Sequence, residues 1–211
     1  MASDMEDLIL NLQYIPIFYY YDETEPVKQS KSYEFIPPDL SELRVVLLGS
    51  SWSQRSSVGS FILGEDVFKD EAQCCLKISK EVEKTKITVI NTPDVPKEEN
   101  QTAFIEDCAE ASAPGPHVFL LVLQPENFTD EDKNRIYRIL KTFNHRSFDH
   151  SFLLILKSVQ DQMKEVLIKE LIRKCRYRYL KMEDIELPEL LTRFGQIVKE
   201  NNGEHVSYEE S

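Results

Sequence analysis

A chain of 211 residues with 41% hydrophobic side chains has material for one domain with a sizeable core and does not demand a second. Its formal net charge of −12 excludes the basic surface that nucleic acid or an anionic membrane selects for. Acidic residues Asp4, Glu6 and Asp7 stand where a secretory signal carries basic ones, and no apolar run approaches a membrane-spanning length. The expected setting is therefore cytoplasmic, with no nucleic-acid partner and no transmembrane segment.

Residues 1–42 show no clear period. Pro16, Pro26, Pro37 and Pro38, with Asp22, Glu23 and Glu25, predict an irregular arm ahead of a domain over 43–208. The cluster Phe18-Tyr19-Tyr20-Tyr21, followed by Asp22 and Glu23, reads as an apolar arm that packs on the domain or on a partner, the alternative being a tyrosine-phosphorylation site or docking segment. The domain opens on Val45 to Leu48, an unbroken β-rich apolar run that ends at Gly49. After a polar loop, apolar residues return at helical spacing as Val58, Phe61 and Ile62.

A buried strand, a loop and a helix start form the junction at which α/β sheets hold phosphate, because loop N–H groups and a helix N-terminus present positive partial charge to an anion. The phosphate-loop pattern G-x-x-x-x-G-K-[ST] laid over Gly49-Ser50-Ser51-Trp52-Ser53-Gln54-Arg55-Ser56 matches at Gly49 and Ser56. Gln54 stands in place of the second glycine, where a β-carbon is penalised, and Arg55 replaces the lysine with a bulkier planar fork. The candidate nucleotide contacts are Gly49, Ser50, Ser51, Trp52, Ser53, Gln54, Arg55, Ser56 and Ser57. Among them Arg55 is the remaining anion anchor, and the Ser56 hydroxyl is the candidate magnesium ligand. The competing reading of the same serines is that they are loop and helix-cap residues.

Further along, Gln73 to Glu83 predicts an edge strand with Cys75 or Leu76 and Ile78 inward and Lys77 and Lys80 outward. Lys86 to Ile90 predicts a core strand. Pro93 and Pro96 break it, and Phe104, Ile105, Cys108 and Ala109 mark one helix face before Pro114-Gly115-Pro116. His117 to Leu123 is the most apolar segment and predicts a central strand buried on both faces. Thr129 then caps a helix to Phe143 with acidic first-turn residues Asp130, Glu131 and Asp132. Ser151 to Lys157 predicts another buried strand, and Met163, Val166, Leu167, Leu171 and Ile172 a helix. Arg176 to Leu180 predicts a short strand, and Leu190, Leu191, Phe194, Ile197 and Val198 the last helix. The four cysteines, Cys74, Cys75, Cys108 and Cys175, lack paired C-x-x-C spacing and read as reduced thiols. Strands alternating with helices imply an α/β fold with a mainly parallel sheet, helices on both faces and a ligand crevice at the strands' C-terminal ends.

The runs RVVLLG, VGSFILGEDVF, ITVINTPDV, SAPGPHVFLLVLQPENFTDEDK and FGQIVKENNGEHVSY resemble the AIG-type G domain of the GIMAP family, the immunity-associated nucleotide-binding proteins, over residues 43 to 208. The resemblance implies a single P-loop NTPase-like G domain, guanine nucleotide (GTP or GDP) with magnesium as ligand, and homo- or hetero-oligomers with related G domains. It also implies a role as an immune-associated switch or scaffold. Several motif positions depart from the family pattern. Where the family has Asp-Thr-Pro-Gly, this chain has Asn91-Thr92-Pro93-Asp94, which removes a carboxylate from magnesium and puts one against the γ-phosphate. The base-reading segment is Leu156-Lys157-Ser158-Val159, and Val159 cannot accept the guanine N–H donors. Lys181-Met182 takes the place of a base-closing asparagine pair. These departures predict a hydrolysis-deficient G domain or, alternatively, a nucleotide-independent pseudo-GTPase interaction module.

Overall fold

The computed structural model describes residues 40–82, 84–97 and 100–209; most of the predicted arm, including Phe18 to Tyr21, lies outside them. Six strands form one sheet: β1 (Glu42–Leu48), β2 (Leu76–Val82), β3 (Thr85–Asn91), β4 (Val118–Leu123), β5 (Ser151–Ile155) and β6 (Tyr179–Lys181). Their spatial order is β2-β3-β1-β4-β5-β6. Only β2 pairs antiparallel, with β3; β1 runs parallel to both β3 and β4, and β4, β5 and β6 continue in parallel.

The alternation of side chains along a strand divides the core in two. From β1, Leu43, Val45 and Leu47 face one cluster, completed by helices α1 (Trp52–Leu63) and α5 (Leu187–Glu200). Val46 and Leu48 face the other, covered by α2 (Gln101–Ser112), α3 (Asp130–Phe143) and α4 (Gln162–Lys174). Burial on both faces explains why β1, β4 and β5 read as continuous apolar runs. As expected, Thr129 caps α3: its hydroxyl accepts from the Asp132 N–H at 3.2 Å, while its own N–H donates to the Asp132 carboxylate at 3.0 Å.

Two predicted faces are corrected. Lys80 shares the half-buried side of β2 with Leu76 and Ile78, because strand parity fixes its direction, and its ammonium reaches Glu65. On α4 the buried residues are Ile168 and Leu171, whereas Met163 is 77% and Val166 56% exposed. The helix axis is set by its contact with the second cluster, and those two apolar residues fall off that stripe. Among the described residues no helix is long and apolar enough to cross a membrane.

Candidate functional site

The order of strands reverses between β1 and β4, so the crevice outside their C-terminal ends is where this topology places a ligand. Gly49 stands there with φ +89° and Ser50 with φ +38°. A β-carbon on Gly49 would lie 2.5 Å from the Val122 carbonyl oxygen, so close passage against β4 requires glycine. The polar loop is only Gly49–Ser51, and α1 begins at Trp52, inside the span of the phosphate-loop pattern. The cause is Gln54. Its Oε1 accepts from the Ser51 N–H at 3.3 Å and the Ser51 hydroxyl at 3.1 Å, and it also accepts from the Ser50 hydroxyl, closing the helix start from within. The Arg55 N–H is spent on the Ser51 carbonyl at 3.0 Å, so it is withdrawn from any cradle.

Arg55 is fully buried. Its Nη1 donates to the carbonyls of Gly49 and Ser50 at 2.5 and 2.6 Å, and its Nη2 to the Thr92 carbonyl at 2.9 Å and Asp94 Oδ1 at 2.8 Å. Thr92 is held for this by its own hydroxyl, which donates to the Leu47 carbonyl at 2.8 Å. Burial pulls the guanidinium pKa below its ordinary value, and the hydrogen bond and charge of Asp94 pull it back up. The side chain expected to reach out for an anion is thus turned inward, clamping the loop to the segment after β3.

The other candidates divide by burial. Trp52 belongs to the first apolar cluster, while Ser53 and Ser57 lie on the exposed side of α1, the Ser57 hydroxyl donating to the Ser53 carbonyl at 2.9 Å. Ser56 is buried, and its hydroxyl oxygen accepts from Asn91 Nδ2 at 3.0 Å; Asn91 Oδ1 is buried with no hydrogen-bond partner. Ser56 and Asn91 are neutral, and Asp94 is engaged with Arg55, whereas a magnesium ion bound with nucleotide is held through carboxylates and phosphates. Among the described residues no group of three or more His, Cys, Asp or Glu side chains offers a metal site. As folded, these residues do not fit a magnesium-bound triphosphate.

A cavity of about 400 Å³ opens beside the loop, between Gly49, Ser50, Ser51 and Gln54 on one side and Phe128 and Ile136 on the other. Across it Gln54 Nε2 donates to Gln124 Oε1 at 3.2 Å, and Gln124 Nε2 donates to Glu126. Where a base would be read, Val159 packs against the second apolar cluster. The Ser158 N–H and hydroxyl donate to Glu183 at 3.1 and 2.8 Å, holding that carboxyl below its usual range. The sequence reading missed Gln124 and Glu183, which carry no local motif. Asp94 as the partner of Arg55 had a signal: two replacements of opposite charge in motifs that meet at one site.

Sheet order, switch-point crevice and the strand-loop-helix junction define a P-loop-type G domain. The AIG1 family profile matches residues 43–210, and the chain belongs to that family, the GIMAP-type G domains. GTPase IMAP family member 8 of Homo sapiens is 31% identical over 157 residues, covering 70% of this chain and 23% of the relative. The Mus musculus counterpart is 27% identical over 144 residues, covering 63% of this chain and 20% of the relative. The chain thus spans less than a quarter of the length of these curated relatives. Among solved structures, Toc33 from Arabidopsis thaliana, as a dimerization-deficient mutant, matches with TM-score 0.63 at 16% identity over 81% of this chain and 89% of its own. Toc33 in complex with GDP and Mg2+ matches with TM-score 0.63 at 13% identity over 84% of this chain and 99% of its own. At these identities the likeness is one of fold.

Proposed function

We propose that this G domain acts as an interaction module, a scaffold of the immune-associated GIMAP type, that works without nucleotide hydrolysis and without needing nucleotide to hold its shape. The observation that carries this reading is the buried Arg55 guanidinium on the carbonyls of Gly49, Ser50 and Thr92 and on Asp94. Positioned charge is nearly all that a GTPase contributes to phosphoryl transfer. Here the one cation of the phosphate loop is committed to holding the loop closed, and Asp94 presents a carboxylate where the γ-phosphate would approach. The Ser158–Glu183 contact supports the same reading at the base end.

A second reading, a guanine-nucleotide switch using GTP or GDP with magnesium, is favoured by the cavity beside Gly49 and Gln54. It requires Arg55 to release its carbonyls and α1 to unwind at its start.

Titration of the chain with GDP, GTP and ATP in the presence of magnesium, by calorimetry and by thermal unfolding, separates the two. The first reading expects no binding heat and an unchanged Tm at millimolar nucleotide, together with the same sedimentation coefficient with and without GTP. A ligand at a hundred times its Kd stabilises by about 2.7 kcal/mol, so a Tm rise specific to guanine nucleotide would discard the first reading and adopt the second.

A further inference from the structure

Away from the cradle, two thiols from separate elements meet. Cys75 stands immediately before β2 and Cys108 lies within α2, and their Sγ atoms are 3.4 Å apart. Cys108 is buried and Cys75 half-buried, and both belong to the apolar cluster that holds Ile90, Phe104 and Ile105. The backbone is clamped as well, since the Cys75 N–H donates to Asp107 Oδ2 at 2.7 Å, one residue from Cys108. The neighbouring Cys74 is exposed, and all four cysteines are free.

From this juxtaposition we infer that Cys75 and Cys108 are a reversible redox pair, converted to a disulfide by a low-molecular-weight disulfide such as glutathione disulfide. The bond joins the start of β2 to α2.

The chemistry balances with that oxidant. The Cys75 sulfur, as thiolate, attacks one sulfur of glutathione disulfide; the small disulfide's S–S bond breaks, and one glutathione leaves. The Cys108 sulfur then attacks the Cys75 sulfur of the mixed disulfide, forming the protein S–S bond and expelling the second glutathione. Two electrons pass from the protein to the glutathione disulfide, and the two cysteine protons end on the departing thiols. Contact with Cys108 and burial raise the Cys75 thiol well above the ordinary cysteine range, so attack draws on a minor thiolate fraction and the conversion is slow, faster as pH rises. A link between residues 33 positions apart restricts the unfolded chain.

The test uses the full chain equilibrated in glutathione buffers from reducing to oxidising, then alkylated, digested and mapped by mass spectrometry. Expected is loss of two of the four thiols, a linked peptide joining Cys75 to Cys108, and a Tm rise of about 5–10 °C that dithiothreitol reverses. Cys74→Ser retains the link and the Tm rise; Cys75→Ser and Cys108→Ser each abolish both. Since Cys108 lies in the core, the half-buried Cys75→Ser decides the matter if Cys108→Ser fails to fold. Retention of all four free thiols in oxidising buffer, a link through Cys74 instead, or a stable glutathione adduct at Cys75 would each overturn the inference.

Discussion

An arginine is buried at each end of β1, and the two ends are satisfied in the same manner. At the N-terminal end, Arg44 donates through Nε to the Gly115 carbonyl at 2.6 Å, and its N–H donates to His117 Nδ1 at 3.0 Å. His150 Nδ1 in turn meets the His117 carbonyl at 2.9 Å, which closes a knot between β1, β4 and β5. At the C-terminal end, Arg55 is held by three carbonyls and Asp94. In open α/β sheets the C-terminal end is the one that leaves polar groups free for a ligand. Here that end is closed by its own side chains almost as thoroughly as the structural end. A cavity adjoins this end, and each end keeps buried polar atoms without a partner: Asn91 Oδ1 and Arg55 Nε here, His150 Nε2 at the other. With its guanidinium turned inward onto three carbonyls and met by Asp94, Arg55 makes this end a structural joint.

The sharpest break of this comparison is Arg55→Ala. If the C-terminal end is structural, removing the guanidinium leaves three carbonyls without their donor and a hole in the core. The expected cost is about 4 kcal/mol, a fall in Tm of about 10 °C measured by calorimetry. An anion anchor open to solvent would be lost with no change in Tm.

Acid titration probes the other end. Burial first, then the charge of Arg44, lowers His117 to about 3 from its ordinary 6.5, and burial lowers His150 too. The unfolded chain takes up a proton below pH 6.5 that the native imidazole refuses. Stability is therefore intact above that pH and falls as pH drops from 6.5 towards 3, by about 3 kcal/mol between pH 7 and pH 4. Glu42 adds to the loss at lower pH. Burial alone would raise it, but hydrogen bonds from Thr88 and Lys86 win and bring it to about 2, so its contribution is present above pH 4.5 and disappears towards pH 2. Urea unfolding across pH should trace this, and His117→Gln should flatten the upper part of the curve.

The smallest effect belongs to Asp94→Asn. Its carboxylate is paired with Arg55 but is 61% exposed, so the pair contributes at most about 1 kcal/mol and weakens with salt. A Tm change of about 2 °C that shrinks in high salt is expected. A loss as large as that of Arg55→Ala would mean that the pair, rather than the carbonyls, holds the loop.

Much of the fold was legible because the signals are local. The Thr129 cap, the run from Val118 to Leu123 and the Leu190 to Val198 stripe each depend on neighbours within a turn or on strand parity, and each stands where expected. Met163 and Val166 have helical spacing but no core beneath them, because which stripe of α4 meets the sheet is decided by Ile168 and Leu171 against residues far along the chain. At the site, the loop pattern could be read, but its length could not. Gln54 folding back on Ser50 and Ser51 shortened it.

From its sequence alone this protein is an α/β chain with a phosphate-loop-like junction at Gly49, which follows from residue type and spacing that the chain carries in itself. That it departs from the positions for metal, γ-phosphate and base follows from the resemblance of its motifs to those of the GIMAP family. Only the tertiary structure decided that Arg55 points inward, because its acceptors at Thr92 and Asp94 come from beyond β3, and their meeting depends on the parallel pairing of β1 with β3. The direction of a side chain is set by the partners that folding brings to it, and those partners have no fixed distance along the sequence.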